Sequence, residues 1–234
     1  MGLWSEIKMD FYVPVKRDPA LHGKCEIFFK YPGVWAVIWY RIANRLYKLN
    51  YKRFSRLISG VSSLITRVDI HPAATIGKEL SIDHAFGVVI GETAIIRDHV
   101  TIYQGVTLGG VELSPTTRHP TLEDNVVIGA GAKILGNITI GKNAKVGANS
   151  VVIRDVGADC TAVGIPAHAI AKGRNKPPLS HNKLPDLNKE LFTYMMQRLN
   201  VLENAVVSGN KKDIDKRDHE LETRYEEFIN SMQK

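Results

Sequence analysis

The feature that most constrains this chain is a spacing. Stepping by six from Ile70 lands on Ile76, Ile82, Val88, Ala94, Val100 and Val106, and the step resumes at Ile128, Ile134, Ile140, Val146 and Val152. Eleven of these twelve positions are Ile or Val, and the twelfth is Ala. An α-helix cannot use such a repeat, because six residues turn through about 600° and scatter the positions around its surface. A β-solenoid can. One short strand per six residues points one aliphatic side chain into a central stack, and each coil buries itself against the next. Gly77, Gly91, Gly129, Gly141 and Gly147 fall between the strands, where a corner with φ > 0 is easiest for glycine. Asn137, Asn143 and Asn149 recur at the same interval, and Asn is the next most tolerant residue there.

The repeat is interrupted once. From Val106 to Ile128 there are 22 residues, three sixes and four over, so a loop leaves the solenoid within Gly109–Leu122. It carries Gly109, Gly110, Pro115, Arg118, His119 and Pro120. A loop thrown out from a rigid scaffold is where function usually sits.

The flanks have a different period. Trp35, Ile38, Trp39, Ile42, Leu46 and Tyr47 follow three-and-four spacing after a turn at Pro32-Gly33, and Phe54, Leu57, Ile58, Val61, Leu64 and Ile65 continue it. After the repeat, Pro177, Pro178 and Pro185 make a stiff connector. Leu191, Met195, Leu199, Leu202 and Val206 then outline an amphipathic helix, and a polar break at 208–212 precedes a charged final helix over roughly 213–232. The expected architecture is therefore α+β in three regions. Residues 1–68 form an N-terminal helical region, 69–173 a β-helix domain, and 174–234 a linker with a helical tail that caps the solenoid or packs between molecules.

Composition excludes several classes. Of a net charge of +7, residues 1–68 hold 12 Lys/Arg against 4 Asp/Glu. Their interleaved aromatics have helical spacing, which fits core packing better than base stacking, so neither nucleic acid nor membrane is an expected partner. No segment offers about 18 uncharged apolar residues, and Met1–Asp10 lacks the pattern of a secretory signal. Two distant cysteines, Cys25 and Cys160, give no disulfide framework and suit a reducing, cytoplasmic setting. Gly129-Ala130-Gly131-Ala132 lacks the further glycine of a dinucleotide fingerprint, and no P-loop is present. His219-Glu220 has no second histidine at the zincin spacing, and Asp124 stands where a His-x4-His pair from His119 would need its partner, so no metal is expected.

Histidine and carboxylate remain as the chemistry. His84 follows Asp83, a second Asp-x-His stands at Asp69–His71, and His119 follows Arg118 in the loop. A base titrating near neutrality with a carboxylate to orient it is the minimum needed to activate a hydroxyl. The default for any single histidine is a structural or surface role.

The runs Asp69-Ile70-His71-Pro72, Ile82-Asp83-His84-Ala85, Gly91-Glu92-Thr93, Val106-Thr107-Leu108-Gly109-Gly110, Arg118-His119-Pro120, Gly129 to Asn137 and Gly164-Ile165-Pro166-Ala167 resemble serine O-acetyltransferase. Upstream, Arg17-Asp18-Pro19-Ala20 and Tyr40-Arg41-Ile42 extend the resemblance, which covers about residues 16–172. The rung residues are shared by many hexapeptide-repeat acyltransferases. The Asp-His-Ala, Gly-Glu-Thr, Arg-His-Pro and Arg-Asp-Pro-Ala runs together are more specific.

The resemblance implies a left-handed parallel β-helix, a homotrimer or a multiple of it, and active sites in the clefts between subunits. It implies transfer of acetyl from acetyl-CoA to L-serine, giving O-acetylserine for cysteine biosynthesis. His84 would be the general base and Asp69 would orient it. Asp18 and Asp83 would sit at the amino-acid substrate, with Arg118 and His119 completing the pocket, Arg118 being suited to a carboxylate. Acetyl-CoA would lie along the coils against Gly110, Ala130 and Ala148. The hydroxyl would attack the thioester directly, with backbone N–H groups stabilising the oxyanion. The chain ends Ser231-Met232-Gln233-Lys234, not in the isoleucine with which some members dock on their sulfhydrylase, so that docking is not expected. Two rival readings are an O-acetyltransferase of the same fold acting on a sugar or polysaccharide, and a non-catalytic scaffold.

Overall fold

A computed structural model describes residues 2–113, 116–170 and 187–208, with residues 219, 221, 223 and 226 beyond them. Residues 1–181 make one compact unit and 182–234 a second. In the second unit, α6 (Leu187–Ser208) covers the amphipathic segment read from the sequence. The expected proline connector and most of the expected final helix lie outside the described residues.

The first unit opens with five helices: α1 (Leu3–Phe11), α2 (Val13–Arg17), α3 (Glu26–Lys30), α4 (Pro32–Lys48) and α5 (Lys52–Thr66). Ile27, Val34 and Ile38 are buried together, with Phe11, Tyr31 and Trp35 packed around them.

A parallel β-helix follows. Its first coil is β1 (Asp69–Ile70), β2 (Thr75–Ile76) and β3 (Ser81–Asp83), and its second is β4 (Val89–Ile90), β5 (Ile95–Ile96) and β6 (Thr101–Tyr103). The third is β7 (Thr107–Gly109), β8 (Thr121–Leu122) and β9 (Val127–Ile128), and the fourth is β10 (Lys133–Leu135), β11 (Thr139–Ile140) and β12 (Lys145–Val146). Then come β13 (Val151–Val152), a bridge from Val156 to Ile140, and the antiparallel pair β14 (Thr161–Gly164) and β15 (Ala167–Ile170). Strands stack into three faces: β1-β4-β7-β10-β13 on the first, β2-β5-β8-β11 on the second, and β3-β6-β9-β12-β14-β15 on the third.

The core is a set of aliphatic columns, one per face. Ile70, Ile90, Leu108, Ile134 and Val152 stack on the first face, and Ile82, Ile102, Ile128, Val146 and Ala162 on the third. The six-residue step runs at strand centres to Ile82 and again from Ile128. Between them the frame moves by two, because eight residues, not six, separate Ile82 from Ile90. Val88, Ala94, Val100 and Val106 are therefore buried at corners just before their strands. Ile96, which the strict step would leave outward-facing, belongs to the core at 1 % exposure.

The corner glycines also act differently from expectation. Gly77, Gly91, Gly129, Gly141 and Gly147 are not among the residues with positive φ. A Cβ on Gly129 would stand 2.6 Å from Ala148 N, and one on Gly141 would stand 2.6 Å from Ala158 N. Their reason is the close approach of the next coil. The left-handed corners fall on Asn125, Asn143, Asn149 and Asp159, among others, while Asn137 does not take that conformation.

The N-terminal end of the β-helix is closed by the helices. The first coil has no predecessor to hydrogen-bond its outward carbonyls. Donors from α4 and α5 take that place: Tyr40 Oη to Ala74 O (2.6 Å), Arg41 to Ile76 O (2.7 Å), Asn44 to Pro72 O (2.8 Å) and Ser59 to Ile70 O (2.8 Å). Arg41 also pairs with buried Asp10 at 2.8 Å, which ties α1 into the same cap. At the other end, β15 folds back antiparallel on β14 as the edge of the third face.

Candidate active site

The sequence-selected residues gather at two of the three corners. The corner between the third and first faces carries His84. Asp83 ends β3 and accepts a hydrogen bond from the His84 N–H at 2.9 Å. His84 and Ala85 both hold left-handed φ, 54° and 53°, as non-glycine residues. The two extra residues of this corner are accommodated there, and strained backbone of this kind collects at functional sites.

Across from β3, Asp18 caps the C-terminus of α2. Its Oδ1 accepts from the Ala20 N–H (2.8 Å) and its Oδ2 from the Tyr31 hydroxyl (2.6 Å). The Tyr31 bond, then the Ala20 bond, hold the Asp18 carboxyl below its ordinary value, and a protonated His84 adds to this. Burial first, and Asp18 second, push the Tyr31 hydroxyl up to about 12. Asp18, Tyr31 and Asp83 line one cavity of about 490 Å3 between α2, α4 and the third face. Arg17, also on its wall, donates to Thr101 Oγ1 and His99 O, which fastens the turn that bears Asp18 to the β-helix.

The corner between the first and second faces carries the inserted loop. Fourteen residues separate Leu108 from Leu122, so eight extra residues are thrown out here. The loop returns across Gly91-Glu92-Thr93 of the preceding coil. Thr93 Oγ1 accepts from the Arg118 N–H (3.0 Å) and the His119 N–H (3.1 Å), and it lies 2.9 Å from His119 Nδ1. The Thr93 N–H also donates to Nδ1 (3.3 Å), so Nδ1 is an acceptor and Nε2 carries the proton. His119 is buried at 8 % exposure, its ring seated where a Cβ on Gly91 would be. Burial, then Arg118, hold its pKa below the ordinary imidazole value. Arg118 Nη2 donates to Glu92 Oε2 at 2.7 Å.

Asp69 lies exposed on β1 in register with Val89. Among the described residues no hydrogen bond or ion pair joins it to His84; its charge acts on His71, whose pKa burial lowers. Within one chain, then, His84, Asp83 and Asp18 share one corner, while Arg118 and His119 share another. The small residues divide the same way. Ala130 and Ala148 lie at the His84 corner, where the Asn149 N–H donates to Ala130 O at 2.8 Å and the Asn149 side chain stands where a Cβ on Gly131 would be. Gly110 lies at the other corner beneath Arg118, whose Cγ would stand 3.1 Å from a Cβ there. Among the described residues, no three His, Cys, Asp or Glu side chains are grouped to hold a metal ion, and no helix is long and apolar enough to cross a membrane.

Tyr31 escaped the sequence reading, and Gly33 entered it only as part of a turn. Glu92 and Thr93 entered it only as a motif without a role. Their signal was local in neither case: Tyr31 is 13 residues from Asp18, and Thr93 is 26 from His119.

Residues 119–154 match the family described as bacterial transferase hexapeptide (six repeats). The serine acetyltransferase of Synechococcus elongatus is 46 % identical over 209 residues, 89 % of this chain and 86 % of that protein. Soybean serine acetyltransferase complexed with serine has a TM-score of 0.69 at 44 % identity, over 72 % of this chain and 69 % of that one. Serine acetyltransferase of Brucella abortus in complex with coenzyme A has a TM-score of 0.70 at 42 % identity, over 74 % and 70 %. With that identity over most of its length, and with the Asp-His-Ala and Arg-His-Pro corners in place, the chain belongs to the serine acetyltransferase family.

Proposed function

We propose that this chain transfers the acetyl group of acetyl-CoA to the hydroxyl of L-serine, in sites formed between subunits of a homotrimer. The observation that carries the reading is the division of chemistry between two corners. One corner offers a base with two carboxylates; the other offers a guanidinium with a neutral imidazole N–H. A zwitterionic amino acid needs both. An ammonium group pairs with Asp18 and Asp83, and a carboxylate with Arg118 and the His119 Nε2–H. Threefold packing of a three-faced prism brings the first corner of one copy against the second corner of the next.

In this arrangement His84 takes the proton of the serine hydroxyl. Asp69, which makes no bond to His84 in the single chain, turns toward the imidazolium and orients it when the site is occupied. Arg118, braced by Glu92, orients the serine carboxylate, so that the hydroxyl is presented to His84 rather than to solvent. Acetyl-CoA, when bound along Ala130 and Ala148 of one copy and Gly110 of its neighbour, supplies the acyl group as an activated thioester. The two carboxylates of the first corner disfavour the sugar reading, since a neutral polyol does not compensate their charge.

The test is release of CoA thiol from acetyl-CoA in the presence of L-serine, set against a panel of sugars. L-serine should be the preferred acceptor, with O-acetylserine identified by mass. Thiol release with a sugar but not with serine would refute the reading.

A further inference from the structure

The cavity lined by Asp18 and Asp83 is bordered by Tyr31, a residue without a role in the reaction above. Asp18 sits in extended backbone (φ −108°, ψ 107°) where α2 gives way to a turn. One of its two hydrogen bonds, from Ala20, comes from that same turn and moves with it. The other, from Tyr31, comes from the N-cap of α4 and does not. Tyr31 is anchored by packing against the cluster of Ile27, Val34 and Ile38. Two residues further on, Gly33 lets α4 close on β3, because a Cβ there would collide with the Ile82 carbonyl. Ile82 is the neighbour of Asp83. A continuous set of contacts therefore runs from Asp83 through Ile82, Gly33 and Tyr31 to Asp18, and both carboxylates line the cavity it borders.

We propose that Tyr31 is the positioning residue of the acceptor site, fixing Asp18 opposite Asp83 so that the pair captures an ammonium group and selects an α-amino acid over a hydroxyl compound without one. This rests on the acyl-transfer reading above. Released from its bonds, the Asp18 carboxylate would turn toward water. The Tyr31 hydroxyl is held as a donor well beyond neutral pH, so it restrains Asp18 throughout the working range. A third partner with up to three N–H donors then completes the arrangement.

The test is Tyr31→Phe in the full-length protein, which keeps the ring and its packing. The lost bond is one to a charged group, so KM for L-serine should rise ~10-fold or more, with kcat within ~3-fold and KM for acetyl-CoA unchanged. Inhibition by 3-hydroxypropanoate, which is serine without its ammonium group, should stay within about twofold, since that compound has no use for Asp18. Asp18→Asn should weaken serine as well, and adding Tyr31→Phe to it should cost less than about twofold more, because the two act through one interaction. A serine KM within about twofold of wild type in Tyr31→Phe overturns the proposal, and so does an equal weakening of serine and 3-hydroxypropanoate. A wild-type enzyme that does not acetylate serine is a different failure, visible before any variant is made, and it removes the reaction and this inference together.

Discussion

His119 shows how a residue can be prepared for one protonation state. Thr93 occupies Nδ1 from two directions, and burial with the Arg118 charge disfavours a second ring proton. The folded chain therefore binds this proton less readily than the unfolded chain, whose histidines keep the ordinary value of 6.5. The stability that His119 contributes is present in full above that value and is lost as pH falls below it. His71, lowered by burial, adds in the same direction. The melting temperature should fall as pH drops from 7 to about 5, and His119→Asn should flatten that fall by removing one of the titrating groups. Thermal denaturation of both proteins across the range decides it. An identical slope in the variant would show that His119 takes up its proton as easily folded as unfolded.

At the scale of elements, the joint between α4 and β3 carries the burden of positioning. Glycine inside a helix normally costs about 0.5–1 kcal/mol relative to alanine. The chain contains both a case that follows the rule and one that inverts it. Gly60, in α5, has nothing within 4 Å of the place a Cβ would take, and Gly33, in α4, has the Ile82 carbonyl there. Gly60→Ala should raise stability by about 0.5–1 kcal/mol. Gly33→Ala should lower it by about 1–3 kcal/mol, as overpacking does, and should raise the serine KM by moving Tyr31. Chemical denaturation of the two variants side by side checks the opposite signs. Stabilisation by Gly33→Ala would mean that α4 does not close on β3 as described.

For the whole molecule, the separated corners make a prediction that no single-chain site would make. His84→Ala should lower kcat at least ~100-fold, the low end of what a positioned base contributes. His119→Ala should be impaired through the opposite corner. On the proposed intersubunit arrangement both variants should be impaired alone, and a mixed trimer should join an intact His84 corner to an intact His119 corner. Co-refolded in equal amounts, the two should recover about a quarter of wild-type activity, the fraction of interfaces that random threefold assembly makes whole. Mixtures no more active than their parents would place the whole site within one chain. Light scattering on the wild type should exceed the 26.0 kDa of one chain.

The six-residue period determined the fold by itself, because only a coil with three short strands per turn can bury one aliphatic residue in every six. Asp18, Asp83, His84, Arg118 and His119 could also be named from short runs, since each lies in a contiguous motif. What the sequence could not decide were distances between runs. The two extra residues at the His84 corner moved the frame for one coil and put Ile96 into the core. Gly129 and Gly141 proved to be places where another coil passes, not places where the chain turns left-handed. Tyr31 reached Asp18, and Thr93 reached His119, only because helix packing and coil stacking folded remote segments together. Periodicity is a local property that repeats until it is legible. A hydrogen bond across 13 or 26 residues depends on the closure of every element between its ends, and that closure exists only in the folded molecule.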